Sequence, residues 1–308
     1  MKYASIDIGT NTALLLIGEL KNDSVFWELL DTSTITKLGE GLKETGYLSS
    51  EAMDRTIYAL DRYMEIIKQK NVERLICVGT SALREAKNSH EFLKKVKDSM
   101  GIMVEIISEE KEAYLTYLSV IKDKKLQVDR CIIADIGGGS TEIIKGNKEG
   151  FVDFISLPIG SIKLTEMFIK NDPPLLEEME KVIGYIKGIL DTSFDGKGCS
   201  FVGTGGTITN VAAILKGMHE YKKDLIHGTK ISKDEIERLK QRLASLSIEK
   251  RRAIIGLEKG REDIILQGIV FLCEIMDYFD FKDIIVSAYG VRYGIIFEEI
   301  GKDLEIHR

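Results

Sequence analysis

Asp135 and Glu142 bracket three consecutive glycines, Gly137, Gly138 and Gly139, and two hydroxyl residues, Ser140 and Thr141, in the stretch DIGGGSTEII. Glycine carries a large backbone entropy cost in helix or strand, so this run reads as a loop. The apolar, β-branched RCIIAD before it and TEIIKG after it read as strands. Such a loop has backbone N–H groups able to point at an anion. The carboxylates at its two ends cannot meet an anion without a metal between them.

Two further loops belong beside it. DIGTNTALLLI, beginning at Asp7, matches DIGGGSTEIIK in its Asp-Ile-Gly start, its turn hydroxyls and its apolar continuation. Both copies connect strands, and their offset is close to one domain length, so the pair reads as a duplication in which each half supplies one glycine hairpin to a shared site. Asp7, Gly9, Thr10, Asn11 and Thr12 then join the candidate phosphate residues. GTGGTITN, from Gly203 to Asn210, follows strand CSFV and leads into a helix at NVAAIL. Free N–H groups and the helix dipole there favour negative charge, which adds Gly203, Thr204, Gly205, Gly206 and Thr207. The sequence contains neither a P-loop nor a dinucleotide fingerprint after the first strand.

The elements that must hold these loops alternate. SVFWELLDTSTITKL reads as strands, and Ser49 to Lys70 as an amphipathic helix with Ser50 as N-cap and Met53, Ile57, Leu60 and Met64 on one face. RLICVGTSAL reads as strand then loop, SHEFLKKVKDSM as helix, MVEIIS as strand and EEKEAYLTYLSVIK as helix. The second half has a helix around Leu175 to Leu190, started by Pro173 and Pro174, then helices through KRRAIIGLEKGREDIILQGIVFLCEIMDYF and a last strand, turn and helix. The pattern is α/β with mixed sheets. The boundary is expected near residue 125, giving domains 1–125 and 126–308, with the last helix, about 291–308, expected to be able to pack back on the first.

The chain has 308 residues, 44% hydrophobic and 30% charged, with net charge −6. That balance disfavours a non-specific nucleic-acid or anionic-membrane binder, and a polyanionic substrate would need a local basic patch or metal. KGMHEYKKD, with Lys216, Lys222 and Lys223, is such a patch or a solvated helix end. Cys77, Cys131, Cys199 and Cys273 lack pairing motifs and read as reduced core thiols, and the start of the chain shows no signal peptide, so a cytoplasmic protein is expected. His90, His219, His227 and His307 lack ligand spacing and read as structural or surface residues.

DIGTNT, TSALREAKN, EIISEEKEA, DIGGGSTE, SLPIGSIKLTE, GTGGTIT and SAYGVRYG, in this order along nearly the whole chain, resemble the exopolyphosphatase and guanosine pentaphosphate phosphohydrolase family in its short, two-domain form. The resemblance implies two duplicated actin-like (ribonuclease H-like) domains around a central cleft. It also implies that Glu112 is the catalytic glutamate and that Arg84 and Arg261 bind phosphate, roles that the residues alone leave as surface or helix charges. Lys163 and Lys37 stand where the family commonly has arginine, and Leu14 where many members have a basic or aromatic residue.

The expected activity is hydrolysis of the terminal phosphoanhydride of inorganic polyphosphate. Asp135 and Glu142 would hold magnesium, though other divalent ions could serve, and Glu112 would deprotonate water with a pKa raised by those carboxylates. Guanosine pentaphosphate is the alternative substrate, and an actin-like or chaperone-like ATP-driven binding protein is the alternative of another class. No specific nucleic acid and no membrane is expected as a partner, and a homodimer is admitted.

Overall fold

The computed structural model describes residues 1–21 and 25–306, so His307 lies outside the described residues. The chain folds as two units, residues 1–122 with 291–308, and residues 123–290.

In the first unit, β1 (Lys2–Ile8), β2 (Thr12–Lys21) and β3 (Val25–Ile35) form an antiparallel meander. After α1 (Leu42–Thr45) and α2 (Ser50–Gln69), β4 (Arg74–Gly79) returns parallel to β1. Then follow α3 (Ser81–Glu85), α4 (Ser89–Met100), β5 (Glu105–Ile106) parallel to β4, and α5 (Glu109–Ile121). The sheet order is β3-β2-β1-β4-β5. Tyr3 to Ile8 are all buried, as befits a central strand covered on both faces. The apolar stripe of α2 buries Met53, Leu60 and Ile67, each two turns from the next, in this unit's core. Its N-cap is Ser49 and not Ser50, because the Ser49 hydroxyl accepts the Ala52 N–H at 3.1 Å from extended backbone.

The second unit repeats the plan. β6 (Arg130–Ile136), β7 (Thr141–Asn147) and β8 (Phe151–Leu157) form the meander, followed by α6 (Ser161–Phe168) and α7 (Leu176–Ile189). β9 (Ser200–Thr204) lies parallel to β6 and feeds α8 (Gly205–Leu215). Then come α9 (Lys223–Ile226), β10 (Lys230–Ser232), α10 (Lys233–Ala244), α11 (Ile248–Arg252), α12 (Ile265–Tyr278) and β11 (Asp283–Val286). Its order, β8-β7-β6-β9-β11-β10, matches the first sheet strand for strand before adding β10 at the edge. The core lies around α12, on which every residue from Ile265 to Met276 is buried.

Three expectations need correction. The residues after β4 are not loop but helix α3, too short to show periodicity and started without a side-chain cap. The prolines do not begin the helix around residue 175; α7 starts at Leu176, with the Glu178 carboxylate accepting the Leu175 N–H at 2.9 Å. The third glycine loop is shorter than read, since α8 begins at Gly205 itself.

The last helix, α13 (Val291–Ile306), belongs to the first unit. Gly294 lies against the Leu115 backbone, 2.6 Å from its carbonyl carbon where a Cβ would stand, so only glycine allows α13 and α5 this approach. Arg292 makes a two-pronged pair with Asp31 at 2.8 and 3.0 Å, and Ser5 donates to the Arg292 carbonyl. Burial, with Asp31 and Glu28 alongside, pushes the Tyr293 phenol far above its ordinary range. The four cysteines are free, and burial pushes the Cys131 thiol up to about 12. Among the described residues no helix is long and apolar enough to cross a membrane.

Candidate active site

In the second unit the Asp135 to Glu142 stretch is a tight hairpin between β6 and β7, closed by the Gly137 N–H donating to the Ser140 carbonyl at 3.0 Å. Asp135 and Glu142 are direct cross-strand partners. Ser156 is the partner of Glu142 on β8, and Thr204 the partner of Asp135 on β9. Register partners share a sheet face, so Ser156, Glu142, Asp135 and Thr204 form one row across four strands. Glu142 is only 2% exposed and accepts the Ser156 hydroxyl at 3.2 Å.

Two carboxylates set directly opposite repel each other, a local cost of about 0.2–1 kcal/mol relative to neutral neighbours. A hard divalent cation neutralises that repulsion and takes oxygen ligands of this kind, so the pair fits a metal. Among the described residues there is no group of three or more His, Cys, Asp or Glu that could hold an ion. Any further ligands would come from backbone, water or substrate.

The turn itself is aimed by α6. The N–H groups of Ser161 and Ile162 donate to the Gly137 and Gly138 carbonyls, both at 3.0 Å. A Cβ on Gly160 would stand 2.6 Å from the Gly138 carbonyl carbon, so glycine there lets the helix end reach the turn. The N–H groups of Gly138 and Gly139 donate to no backbone carbonyl among the described residues. They can meet an anion. Lys163 is buried, with its ammonium on the Pro158 carbonyl at 3.0 Å.

Gly205, the first residue of α8, has φ +88°, and a Cβ there would lie 2.7 Å from Asp135 Oδ1. The helix N-terminus therefore abuts the carboxylate row. Gly206 lies under the Arg261 guanidinium, and a Cβ on it would overlap that group. Arg261 comes from the loop between α11 and α12, which runs along one face of α8. Gly256 touches Ala213, Asn210 donates to the Gly206 carbonyl at 2.9 Å and accepts the Glu258 N–H at 2.7 Å, and Glu258 pairs with Arg261 Nε at 2.5 Å. Residues 206, 210 and 213 share a helix face, so the loop is fixed at three points and delivers the guanidinium to the helix start.

Not every hydroxyl read as a phosphate donor is turned that way. The Thr204 hydroxyl donates to the Tyr289 carbonyl, Thr207 packs against Gly268 of α12, and Thr141 is fully buried.

The first unit carries the second set. Gly9 N–H donates to the Thr12 carbonyl at 3.0 Å, the same closure as in the other hairpin. Asp7 pairs across the strands with Leu14, where the second unit has Glu142. Thr10 packs on Gly39, and Asn11 donates to the Thr12 hydroxyl at 3.3 Å. Arg84 of α3 meets Glu112 of α5 at 2.6 Å and also donates to the Ile107 carbonyl at 3.0 Å. Glu112 is 7% exposed, not a surface charge. Within this unit Glu112 pairs with the Arg84 cation.

Sequence reasoning missed Ser156, Gly160, Asn210, Glu258 and Tyr289. One signal was available: VGTSALRE at 78–85 and VGTGGTIT at 202–209 share Val-Gly-Thr at the end of the corresponding strands, a second mark of the duplication.

A model of the Ppx/GppA phosphatase family matches residues 17–303. The chain belongs to the Ppx/GppA phosphatase family. Exopolyphosphatase 2 of Mycobacterium tuberculosis is 30% identical over 89% of this chain and 89% of its own. A bifunctional 3-dehydroquinate synthase/phosphatase of Fusobacterium nucleatum is 36% identical over 96% of this chain, which spans 46% of that relative's length. The crystal structure of the Aquifex aeolicus Ppx/GppA protein covers 98% of both chains at 34% identity and a TM-score of 0.82. The fold class read from the motifs, two actin-like α/β units with mixed sheets, is that of the Ppx/GppA structures.

Proposed function

We propose that this chain is an exopolyphosphatase that hydrolyses the terminal phosphoanhydride of linear inorganic polyphosphate with water and magnesium. The observation that carries the reading is the paired carboxylates Asp135 and Glu142, set in one row beside the start of α8 and its overlying Arg261, in a chain with a relative of similar length named an exopolyphosphatase.

In this reading the N–H groups of Gly138 and Gly139, the N-terminus of α8 and the Arg261 fork bind the non-bridging oxygens of the chain end. The first hairpin, Asp7 to Thr12, carries the matching set within its own unit. A divalent ion held by Asp135 and Glu142, directly or through water, would neutralise charge on the phosphoryl oxygens. Glu112 is the group of the first unit read, by resemblance, as the base for water, and its pair with Arg84 at 2.6 Å fixes the direction of its carboxylate. Water oxygen bonds to the terminal phosphorus, the bridging P–O bond breaks, and the shortened chain leaves with that oxygen. No side chain is phosphorylated.

The test is phosphate release from long polyphosphate, guanosine pentaphosphate and ATP, measured side by side with magnesium. Fastest release from polyphosphate is expected. Preference for guanosine pentaphosphate would reassign the substrate within the same chemistry, and ATP turnover alone would replace the reading by a nucleotide-driven one.

A further inference from the structure

Outside the groups given a role above, the second unit buries a polar cluster around His227. Its Nδ1 accepts the Ala288 N–H at 3.1 Å, and its Nε2 lies 2.7 Å from Asp123 Oδ2. A nitrogen that accepts carries no proton, so Nδ1 is the acceptor of the ring, while Nε2 and Asp123 Oδ2 lie close without the geometry of a hydrogen bond. The ring stacks on Tyr289, with centroids 4.4 Å apart and planes at 17°. Asp123 is the first residue of the unit, and Tyr289 stands one residue before its last, Gly290. One imidazole therefore joins both ends of the unit.

Tyr289 connects this cluster to the site. Its carbonyl accepts the Thr204 hydroxyl, and the Ser287 N–H donates to the Gly203 carbonyl at 2.8 Å. Thr204 is the register partner of Asp135 and the residue before Gly205. The segment 287–289 is thus a strut with His227 on one side and the end of β9 on the other. Asp123 Oδ1 accepts the Lys125 N–H at 2.8 Å, which fixes the carboxylate beside the ring.

We propose that His227 is a positioning residue for phosphoanhydride hydrolysis: through its Nδ1 and its stacked ring it holds Tyr289 so that the Tyr289 carbonyl keeps Thr204, and with it the start of α8, in register with Asp135. The inference rests on the phosphatase reading of that row. It requires the acceptor at Nδ1 more than the contact at Nε2, because Nδ1 meets the strut directly.

Replacement by Ala, Asn and Gln separates the two contacts. In His227→Asn the amide oxygen takes the place of Nδ1, whereas in His227→Gln the amide nitrogen takes that of Nε2. His227→Ala should lower kcat/KM on polyphosphate on the order of ten- to a hundredfold, as expected for a misplaced loop. His227→Asn should recover to within about threefold of the parent, the worth of one remaining hydrogen-bond change, and His227→Gln should stay near Ala. The decisive measurement is the cycle with Thr204→Val. If His227 acts through Thr204, the double variant falls within about twofold of Thr204→Val alone, whereas a separate structural role multiplies the two losses. Amide hydrogen exchange gives a readout without turnover: His227→Ala, or His227→Gln if Ala does not fold, should speed exchange at Ser287 and Tyr289. Multiplicative losses, equal recovery by Asn and Gln, or unchanged exchange at these amides would overturn the proposal. A parent protein that releases no phosphate from any substrate would instead refute the phosphatase reading, and the exchange result would still decide the strut.

Discussion

Gly205→Ala puts the geometry of the proposed metal row to a direct test. Two costs can be worked from the structure. Alanine at φ +88° occupies the left-handed side of backbone space, worth of order 1–3 kcal/mol of strain. The new Cβ would lie 2.7 Å from Asp135 Oδ1 and 3.1 Å from the Ile136 carbonyl, where ordinary contact starts at 3.4 Å. The carboxylate must therefore retreat by 3.4 − 2.7, about 0.7 Å, or the start of α8 must lift by as much. Either way the distance between Asp135 and the helix N–H groups changes by a good fraction of the misplacement that costs about a hundredfold in rate. The expected result is a ten- to hundredfold loss of turnover and a raised magnesium requirement. The melting temperature should fall by about 2–10 °C, as that strain implies for a chain of this size. Gly206→Ala, one residue on, is the control: its Cβ meets the flexible end of Arg261, so it should raise KM for polyphosphate while leaving the magnesium dependence unchanged. A Gly205→Ala protein with parental rate and parental magnesium dependence would refute the link between α8 and the carboxylate row.

Glu112→Gln should reduce turnover by roughly a hundredfold to ten-thousandfold while polyphosphate binding persists, since an amide keeps the shape but takes no proton; rapid-quench phosphate release and a binding titration check both parts. Asp135→Asn and Glu142→Gln should each raise the magnesium concentration giving half-maximal rate, and activity unaffected by a chelator would remove the metal from the mechanism. Burial pushes Glu262 up, but its own N–H, the Arg252 guanidinium and the Gly260 N–H together hold it below its ordinary 4.5. Its contribution to stability is therefore present above about pH 4.5 and lost as pH falls through the lower folded value, so the melting difference between parent and Glu262→Gln should close below that pH.

What the sequence revealed of the site was what is local along the chain. Asp135, Gly137 to Gly139 and Glu142 could be read together because a hairpin brings residues seven apart into register. The glycines at 205 and 206 read as part of the loop between strand CSFV and helix NVAAIL, yet they open α8. At a helix start, the left-handed φ of Gly205 and the close approach of Arg261 to Gly206 require residues without side chains. Arg261 could be named only by resemblance, because its place depends on Asn210 and Glu258, 48 residues apart, meeting through a backbone N–H. The pairing of Glu112 with Arg84 was hidden for the same reason: α3 and α5 are separate elements, and no spacing rule connects residues 28 apart.

The duplication also explains why the two hairpins differ in what they can hold. The second unit's row reads Ser156, Glu142, Asp135, Thr204, and the corresponding row of the first reads Ser33, Leu14, Asp7, Val78. Asp and Ser recur in place, while one carboxylate has an apolar counterpart. The first hairpin is built with leucine at this place, which argues that a hairpin of this kind forms without the carboxylate. Glu142→Leu should therefore give the second hairpin the character of the first. It removes one member of a like-charged pair, which favours the folded state by about 0.2–1 kcal/mol, and leaves Ser156 without its acceptor at a similar cost, so the melting temperature should move by only a few degrees. Turnover should fall at least as far as in Glu142→Gln, with no recovery at high magnesium, because leucine offers no oxygen to the cation. A Glu142→Leu protein that unfolds would mean that Glu142 is a structural group of the hairpin. One that keeps its magnesium-dependent activity would mean that the ion is held elsewhere.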